Sequence, residues 1–241
     1  MLSNKKILVT GASSGIGQGI VKILDRRGAE LILTARNEKK LKAVISETNN
    51  NPSYFLADIT DDKQIEHLVN NIQKLDGIVF CAGFNEYIPF KFIKKEKVNK
   101  IFNVNYFSSL YLLQYIIKKK KLNKGSSLVF ISSISSLLGV PATLLYAASK
   151  SAVNSTVKVL ASELSGKKIR VNAISPGIVI TPMLEQNNIN KEKLMEQEKQ
   201  YPFGFGTPED IAYSVSFLLS DESRWMTGNI IKIDGGFTLQ K

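Results

Sequence analysis

The stretch from Lys5 to Arg27 constrains this chain more than any other. Lys5-Lys-Ile-Leu-Val-Thr10 has the apolar run of a short buried strand, and Gly11-Ala-Ser-Ser-Gly15-Ile-Gly17 follows it directly. From Gln18 onward, Ile20, Val21, Ile23 and Leu24 recur at helical spacing. Glycines let the backbone turn tightly and approach a pyrophosphate. The helix that follows offers free N–H groups and the positive end of a dipole. The spacing is Gly-x-x-x-Gly-x-Gly, not the commoner Gly-x-Gly-x-x-Gly of dinucleotide sites. A glycine-rich loop alone also fits a structural turn, but a strand before it and a helix after it are the context a nucleotide site requires.

The rest of the chain repeats that alternation. Apolar runs at 30–34, 53–57, 77–81, 127–131, 168–174 and 229–233 read as six more strands. Helical spacing covers 37–48, 61–74, 98–121 and 146–164, and a further helix starts with Thr207 as cap, has Pro208 in its first position and runs to 219. Residues 183–206 carry few strand signals; a short helix over 190–200 would make them a lid over a site. Alternating strands and helices predict a doubly wound, Rossmann-type α/β domain, with seven parallel strands and helices on both faces. The length of 241 residues suits one such domain over 1–241, with a sizeable core and no internal linker or repeat.

Composition narrows the function. No apolar run reaches the ~18 residues of a membrane-spanning helix. The first residues pass straight into a strand pattern, leaving no room for a signal peptide. A single cysteine, Cys81, excludes an internal disulfide framework. These features predict a cytoplasmic protein. His67, the only histidine, falls on a predicted surface helix, which leaves no metal cluster and no Ser-His-Asp chemistry. The net charge of +11 suits an anionic ligand or surface. The run Lys118-Lys-Lys-Lys121 ends a predicted helix, where cations are favoured, and no nucleic-acid motif accompanies it. We expect no nucleic-acid or membrane partner.

Candidate chemistry gathers at the ends of the predicted strands. Tyr146 and Lys150 are four apart at a helix start and share a face. A phenol has an unperturbed pKa near ~10. A nearby ammonium is expected to lower it, letting the pair pass a proton to or from a substrate oxygen. Ser133 follows the fifth strand and can hydrogen-bond the same oxygen. The second strand ends Thr34-Ala35-Arg36, without the acid that NAD-preferring folds place on the ribose. Arg36 either pairs with a 2′-phosphate or is solvated; the missing acid predicts NADP(H). Asp58 either reaches an adenine amino group or caps the next helix. Cys81 reads as a packing residue. Asn105 is polar amid apolar positions, so it is exposed or has a reason to be there.

Thr10-Gly-Ala-Ser-Ser-Gly-Ile-Gly17, Asp58, Ala82-Gly83, Asn105, Ser133, Tyr146-Ala-Ala-Ser-Lys150, Asn172-Ala-Ile-Ser-Pro-Gly177 and Asp234-Gly-Gly236 together resemble the short-chain dehydrogenase/reductase family over essentially the whole chain. The resemblance implies that Tyr146 is the general acid in reduction and the base in oxidation. It implies that Ser133 polarises the carbonyl, that Lys150 holds the nicotinamide ribose and lowers the Tyr146 pKa, and that Asn105 holds a water linking Lys150 to solvent. Gly11, Ser13, Ser14, Gly15, Ile16 and Gly17 would surround the pyrophosphate and adenosine ribose. Ile59, Cys81, Ala82, Gly83, Pro176 and Gly177 would lie along the cofactor, with Ile178 and Thr181 at its nicotinamide end. The family usually has Asn-Asn-Ala-Gly where this chain has Phe80-Cys81-Ala82-Gly83, so its usual local bracing is expected to be missing.

Within the family the pattern looks most like 3-oxoacyl-acyl-carrier-protein reductases, and a homotetramer or homodimer built through the Asn105 and Tyr146 helices is implied. Lys124 and Lys167 either grip an acidic carrier protein near the site entrance or are solvated. Met183, Leu184, Met195, Tyr201 and Phe203 suggest a partly apolar pocket for an acyl chain, a sterol or an aromatic ketone. A sugar or polyol dehydrogenase is the alternative, with Gly83-Phe-Asn-Glu86, Asn187 and Asn188 holding hydroxyls. A dinucleotide sensor without turnover is the alternative of another class; it has no need of Ser133, Tyr146, Lys150 and Asn105 together.

Overall fold

A computed structural model describes residues 2–186 and 191–239. Among them, the strands Lys6–Thr10 (β1), Glu30–Ala35 (β2), Ser53–Leu56 (β3), Leu75–Phe80 (β4), Leu122–Ile131 (β5), Arg170–Pro176 (β6) and Ile230–Ile233 (β7) form one sheet. Its order is β3-β2-β1-β4-β5-β6-β7, and every pairing is parallel. Side chains on a strand alternate between faces. Ile7 and Val9 therefore join one core, with the helices Gly15–Arg26 (α1), Glu38–Ile45 (α2) and Pro208–Leu219 (α9), while Leu8 joins the other. That second core packs the helices Asp62–Asn71 (α3), Ser108–Lys118 (α5) and Leu144–Leu164 (α6) against the sheet. Burial on both faces explains why the central strands read as continuous apolar runs. Strand order reverses between β1 and β4, so the connections leaving their carboxyl ends part to opposite faces and open a crevice there.

Two tight contacts fix the frame. Gly19 lets α1 approach α9, since a Cβ there would stand 2.5 Å from the Pro208 side chain. Helix α9 starts as expected, with Pro208 in its first turn and a reciprocal cap. The Thr207 hydroxyl accepts from Asp210 N, and the Asp210 carboxylate accepts from Thr207 N at 2.7 Å.

Several elements differ from the sequence reading. The single helix expected over 98–121 is Lys95–Phe102 (α4), a π-helical turn at Asn103–Phe107, then α5. A π turn adds a residue without breaking the apolar stripe, so periodicity does not reveal it. The fifth strand begins earlier, at Leu122, with an irregular register opposite Leu75 and Gly77. The sixth begins later because Lys168, at φ 60°, lies in a left-handed turn. The segment 183–206 contains the helices Pro182–Gln186 (α7) and Lys191–Glu198 (α8); Asn190, the expected start of the second, lies outside the described residues. Both ends of this segment are tied together. Val179 bridges Gly206, Ile180 N donates to Gly206 O at 2.9 Å, and Gly206 N donates to Ile178 O at 3.0 Å.

Candidate active site

The crevice at the carboxyl ends of β1, β4, β5 and β6 has a volume of about 600 Å³, within the usual range for small-molecule sites. It is lined by Gly11, Ser13, Ser14, Gly15, Ile16, Gly17, Arg36, Asp58, Ile59, Cys81, Ala82 and Gly83 on one side. Ser133, Tyr146, Lys150, Pro176, Gly177, Ile178 and Thr181 complete it. Of the residues expected to hold the cofactor or the reacting groups, Asn105 alone does not line it.

The glycine turn fits a pyrophosphate for two separate reasons. Gly11 and Gly17 are fixed by packing: a Cβ would stand 2.8 Å from Ala82 Cα in the first case and 2.1 Å from Gly11 O in the second. Gly15 instead faces Thr181 across the opening, where a Cβ would meet the threonine side chain at 3.2 Å. Ser14 stands at the N-cap of α1 but its hydroxyl makes no cap bond. The first N–H groups of α1 are thus left without a side-chain cap at the crevice wall, the arrangement that binds phosphate oxygens.

Where Arg36 and Asp58 line the crevice, Asp61 caps α3 by accepting from Lys63 N and Gln64 N, so Asp58 is not needed as that cap. Asp58 accepts from Thr60 N at 2.9 Å and from the Thr60 hydroxyl at 2.7 Å, and lies 3.5 Å from Arg36. Burial would raise its carboxyl pKa, but the Thr60 hydrogen bonds and Arg36 outweigh it and hold the group below the usual range. The Arg36 side chain is 70% exposed, so its guanidinium remains open to an incoming phosphate.

Bracing survives the loss of the usual asparagines. The Thr10 hydroxyl accepts from Cys81 N at 3.1 Å and Ala82 N at 3.3 Å, tying β1 to the end of β4. Phe80 stacks on Phe130 at 4.3 Å, an aromatic substitute for polar contact between β4 and β5. The Cys81 thiol is pushed up to about 12 by burial, against the pull of Lys150, which keeps it protonated and unreactive.

Tyr146 and Lys150 share a face of α6, with Nζ 5.8 Å from the phenol ring centre. Ser133 lines the same crevice and lies near enough to Tyr146 to influence its phenol. The expected acidification of the phenol is not found. Burial pushes Tyr146 up to about 12; the neighbouring Ser133 opposes this, and Tyr87 and Cys81 add to it. Burial also brings Lys150 down to about 8. Loss of water penalises phenolate and ammonium alike. Lys150 is 4% exposed, and its Nζ donates to Ile131 O at 2.8 Å rather than to the phenol.

Not every residue named from the sequence lines the crevice. Asn105 is buried behind the crevice. Its Oδ1 accepts from Phe84 N at 2.9 Å, while Nδ2 donates to Phe84 O at 2.9 Å and Ser149 Oγ at 3.2 Å. The side chain holds the loop after β4 and stands 3.3 Å from where a Cβ on Gly83 would lie, with Lys150 Nζ 3.4 Å from the same point. Lys124 and Lys167 line no part of the crevice. Both precede the sheet core of their strands, and parallel strands put their starts at the edge opposite their ends. Met195 and Phe203 are 65% and 87% exposed and do not line the crevice, whereas Met183, Leu184 and Tyr201 do. Asn187 and Asn188 lie outside the described residues.

Sequence reasoning overlooked Tyr87, Lys100, Leu138 and Val140, which also line the crevice. They come from loops and from α4, and nothing in their local sequence marks them. Among the described residues no group of histidine, cysteine or carboxylate side chains could hold a metal ion, and no helix is long and apolar enough to cross a membrane.

The family model described as enoyl-(acyl carrier protein) reductase matches residues 11–238. The chain is 33% identical over 239 residues to a 3-oxoacyl-[acyl-carrier-protein] reductase of Rickettsia bellii, covering 99% of this chain and 98% of that protein. It is 33% identical over 247 residues to the reductase of the same name from Thermotoga maritima, covering 99% of both. The crystal structure of a short chain dehydrogenase family protein from Francisella tularensis superposes with a TM-score of 0.88 at 31% identity, covering 99% of this chain and all of that one. Fold, crevice and whole-length likeness agree: the chain belongs to the short-chain dehydrogenase/reductase family of NAD(P)-dependent oxidoreductases.

Proposed function

We propose that this protein is an NADP(H)-dependent carbonyl reductase acting on 3-oxoacyl thioesters, including those carried on an acyl carrier protein. The observation that carries the reading is that Ser133, Tyr146 and Lys150 line one crevice together. Two hydroxyls and an ammonium in one crevice suit a carbonyl oxygen beside a bound cofactor. When bound, the nicotinamide supplies the hydride. Tyr146, which holds its proton through the physiological range, gives that proton to the carbonyl oxygen, and Ser133 orients the carbonyl. Lys150 donates to the ribose hydroxyls and fixes the ring's position. A proton-loaded phenol suits reduction, since alcohol oxidation needs the phenolate.

NADP(H) is favoured over NAD(H) by Arg36 at the adenosine end and by the absence of a carboxylate at the end of β2. Relatives named for 3-oxoacyl reduction support the substrate class, as does an apolar wall containing Leu138, Val140 and Met183. The tied segment 183–206 serves as a substrate lid, with Tyr201 anchoring it. Its hydroxyl accepts from Ile178 N at 3.1 Å and its ring stacks on Phe237 at 4.5 Å. Exposed Tyr111 on α5 and Val159 on α6 support a homo-oligomer built through these helices. The test is NADPH oxidation with an acetoacetyl thioester against NADP-linked oxidation of polyols. Turnover of polyols alone would replace this reading with a polyol dehydrogenase. NADPH binding with no turnover of any carbonyl would replace it with a sensor.

A further inference from the structure

The loop between β4 and α4 is held at both ends. Asn105 clamps the backbone of Phe84 through two hydrogen bonds, and Ile88 N donates to Ala142 O at 2.8 Å. Between these anchors the side chains alternate. Glu86 turns to Lys97, with which it forms an ion pair, while Asn85 and Tyr87 line the crevice. Lysine-paired Glu86 on one side and two uncharged polar groups on the other make this a fixed wall with a defined inner face.

The inner face has hydrogen-bonding capacity to spare. Tyr87 and Asn85 both line the crevice, and the Tyr87 phenol carries an O–H that can donate to a ligand there. Asn85 Oδ1 is buried and accepts no hydrogen bond from the described residues. A buried acceptor without a donor is costly, so a ligand that supplies one is favoured. Tyr87 lines the same crevice as Ser133 and Tyr146.

We propose that Tyr87 and Asn85 form a recognition pair for the second functional group of the substrate. The Tyr87 hydroxyl donates to a carbonyl oxygen one carbon removed from the carbonyl being reduced, and Asn85 Oδ1 accepts from an N–H further along the same chain. The pair selects 3-oxoacyl compounds, and among them those with an amide beyond the thioester, over isolated ketones. This rests on the carbonyl-reductase reading above, with Ser133 and Tyr146 taking the oxygen that is reduced.

The experiment uses the full chain with saturating NADPH and three probes. S-acetoacetyl-N-acetylcysteamine has both the second carbonyl and the amide, ethyl acetoacetate has only the second carbonyl, and 2-heptanone has neither. For Tyr87→Phe we expect the kcat/KM ratio of either 3-oxo probe to 2-heptanone to fall about tenfold, mainly through KM. For Asn85→Leu we expect the ratio of the amide-bearing probe to ethyl acetoacetate to fall by a similar factor. Ratios cancel any general effect on Tyr146, and NADPH affinity measured by fluorescence checks that each variant is folded. Ratios within twofold of the wild type would overturn the proposal while leaving the carbonyl-reductase reading intact. A wild type that reduces none of the three would remove both.

Discussion

Lys150 is an ammonium enclosed without a carboxylate beside it, and its behaviour with pH follows from that. Its pKa in the folded protein is lowered to about 8, against 10.5 unperturbed. Between those values the unfolded chain binds the extra proton, so this group's contribution to stability is present above 10.5 and lost as pH falls through 8. Ribose recognition runs the other way, because the charged form has the most N–H donors. We expect the NADPH dissociation constant of the wild type to rise as pH increases through about 8, and that step to vanish in Lys150→Met; titrating binding by fluorescence from pH 6.5 to 9.5 reads both. Arg36 carries the second residue-scale prediction. Arg36→Asp should invert the NADPH/NADH ratio of kcat/KM by about tenfold or more, and an unchanged ratio removes Arg36 from cofactor choice. The identities of Tyr146, Lys150, Ser133 and the glycines were legible because their spacing is local. The direction of the Tyr146 shift was not. An i, i+4 pair suggests attraction, whereas desolvation depends on everything else packed around the phenol.

At the scale of elements, the π turn at Asn103–Phe107 turns Asn105 inward, and Asn105 in turn fixes the loop after β4. Asn105→Ala leaves the Phe84 N–H and C=O without their partner. We expect a loss of about 1–3 kcal/mol in urea unfolding. We also expect a fall in kcat/KM for the carbonyl larger than any change in NADPH affinity, because the loop faces the substrate end. Loss of stability without that asymmetry would make Asn105 a structural residue only. Helices and strands were legible from apolar period and from caps such as Thr207-Pro208, but a π turn keeps the period and hid in plain sequence. Lys124 and Lys167, both exposed and away from the crevice, take the solvated alternative for a related reason. Closeness in sequence to Ser133 or to the sixth strand says nothing about which end of a parallel strand a residue occupies.

For the whole molecule, the crevice unites residues from Gly11 to Phe237, so occupying it should stabilise the chain as a unit. NADPH at about 100 times its dissociation constant is expected to add ~2.7 kcal/mol. For a chain of this length that is a rise of roughly 5–10 °C in the unfolding midpoint. Tyr146→Phe should keep this rise while losing turnover by several orders of magnitude; a variant with near-normal rate would refute the assigned proton donor. The parallel sheet and its two cores were legible because burial on both faces imprints continuous apolar strands between amphipathic helices. Most of the substrate wall was not, since Tyr87, Lys100, Leu138 and Val140 come to one crevice only after the loops are in place. The ladder that joins Val179 to Gly206 brings the two ends of the intervening segment side by side. An excursion whose ends already touch can be lengthened, shortened or exchanged without moving a strand. Evolution of a new specificity here therefore needs only one cassette replaced, with the hydride chemistry left untouched beneath it.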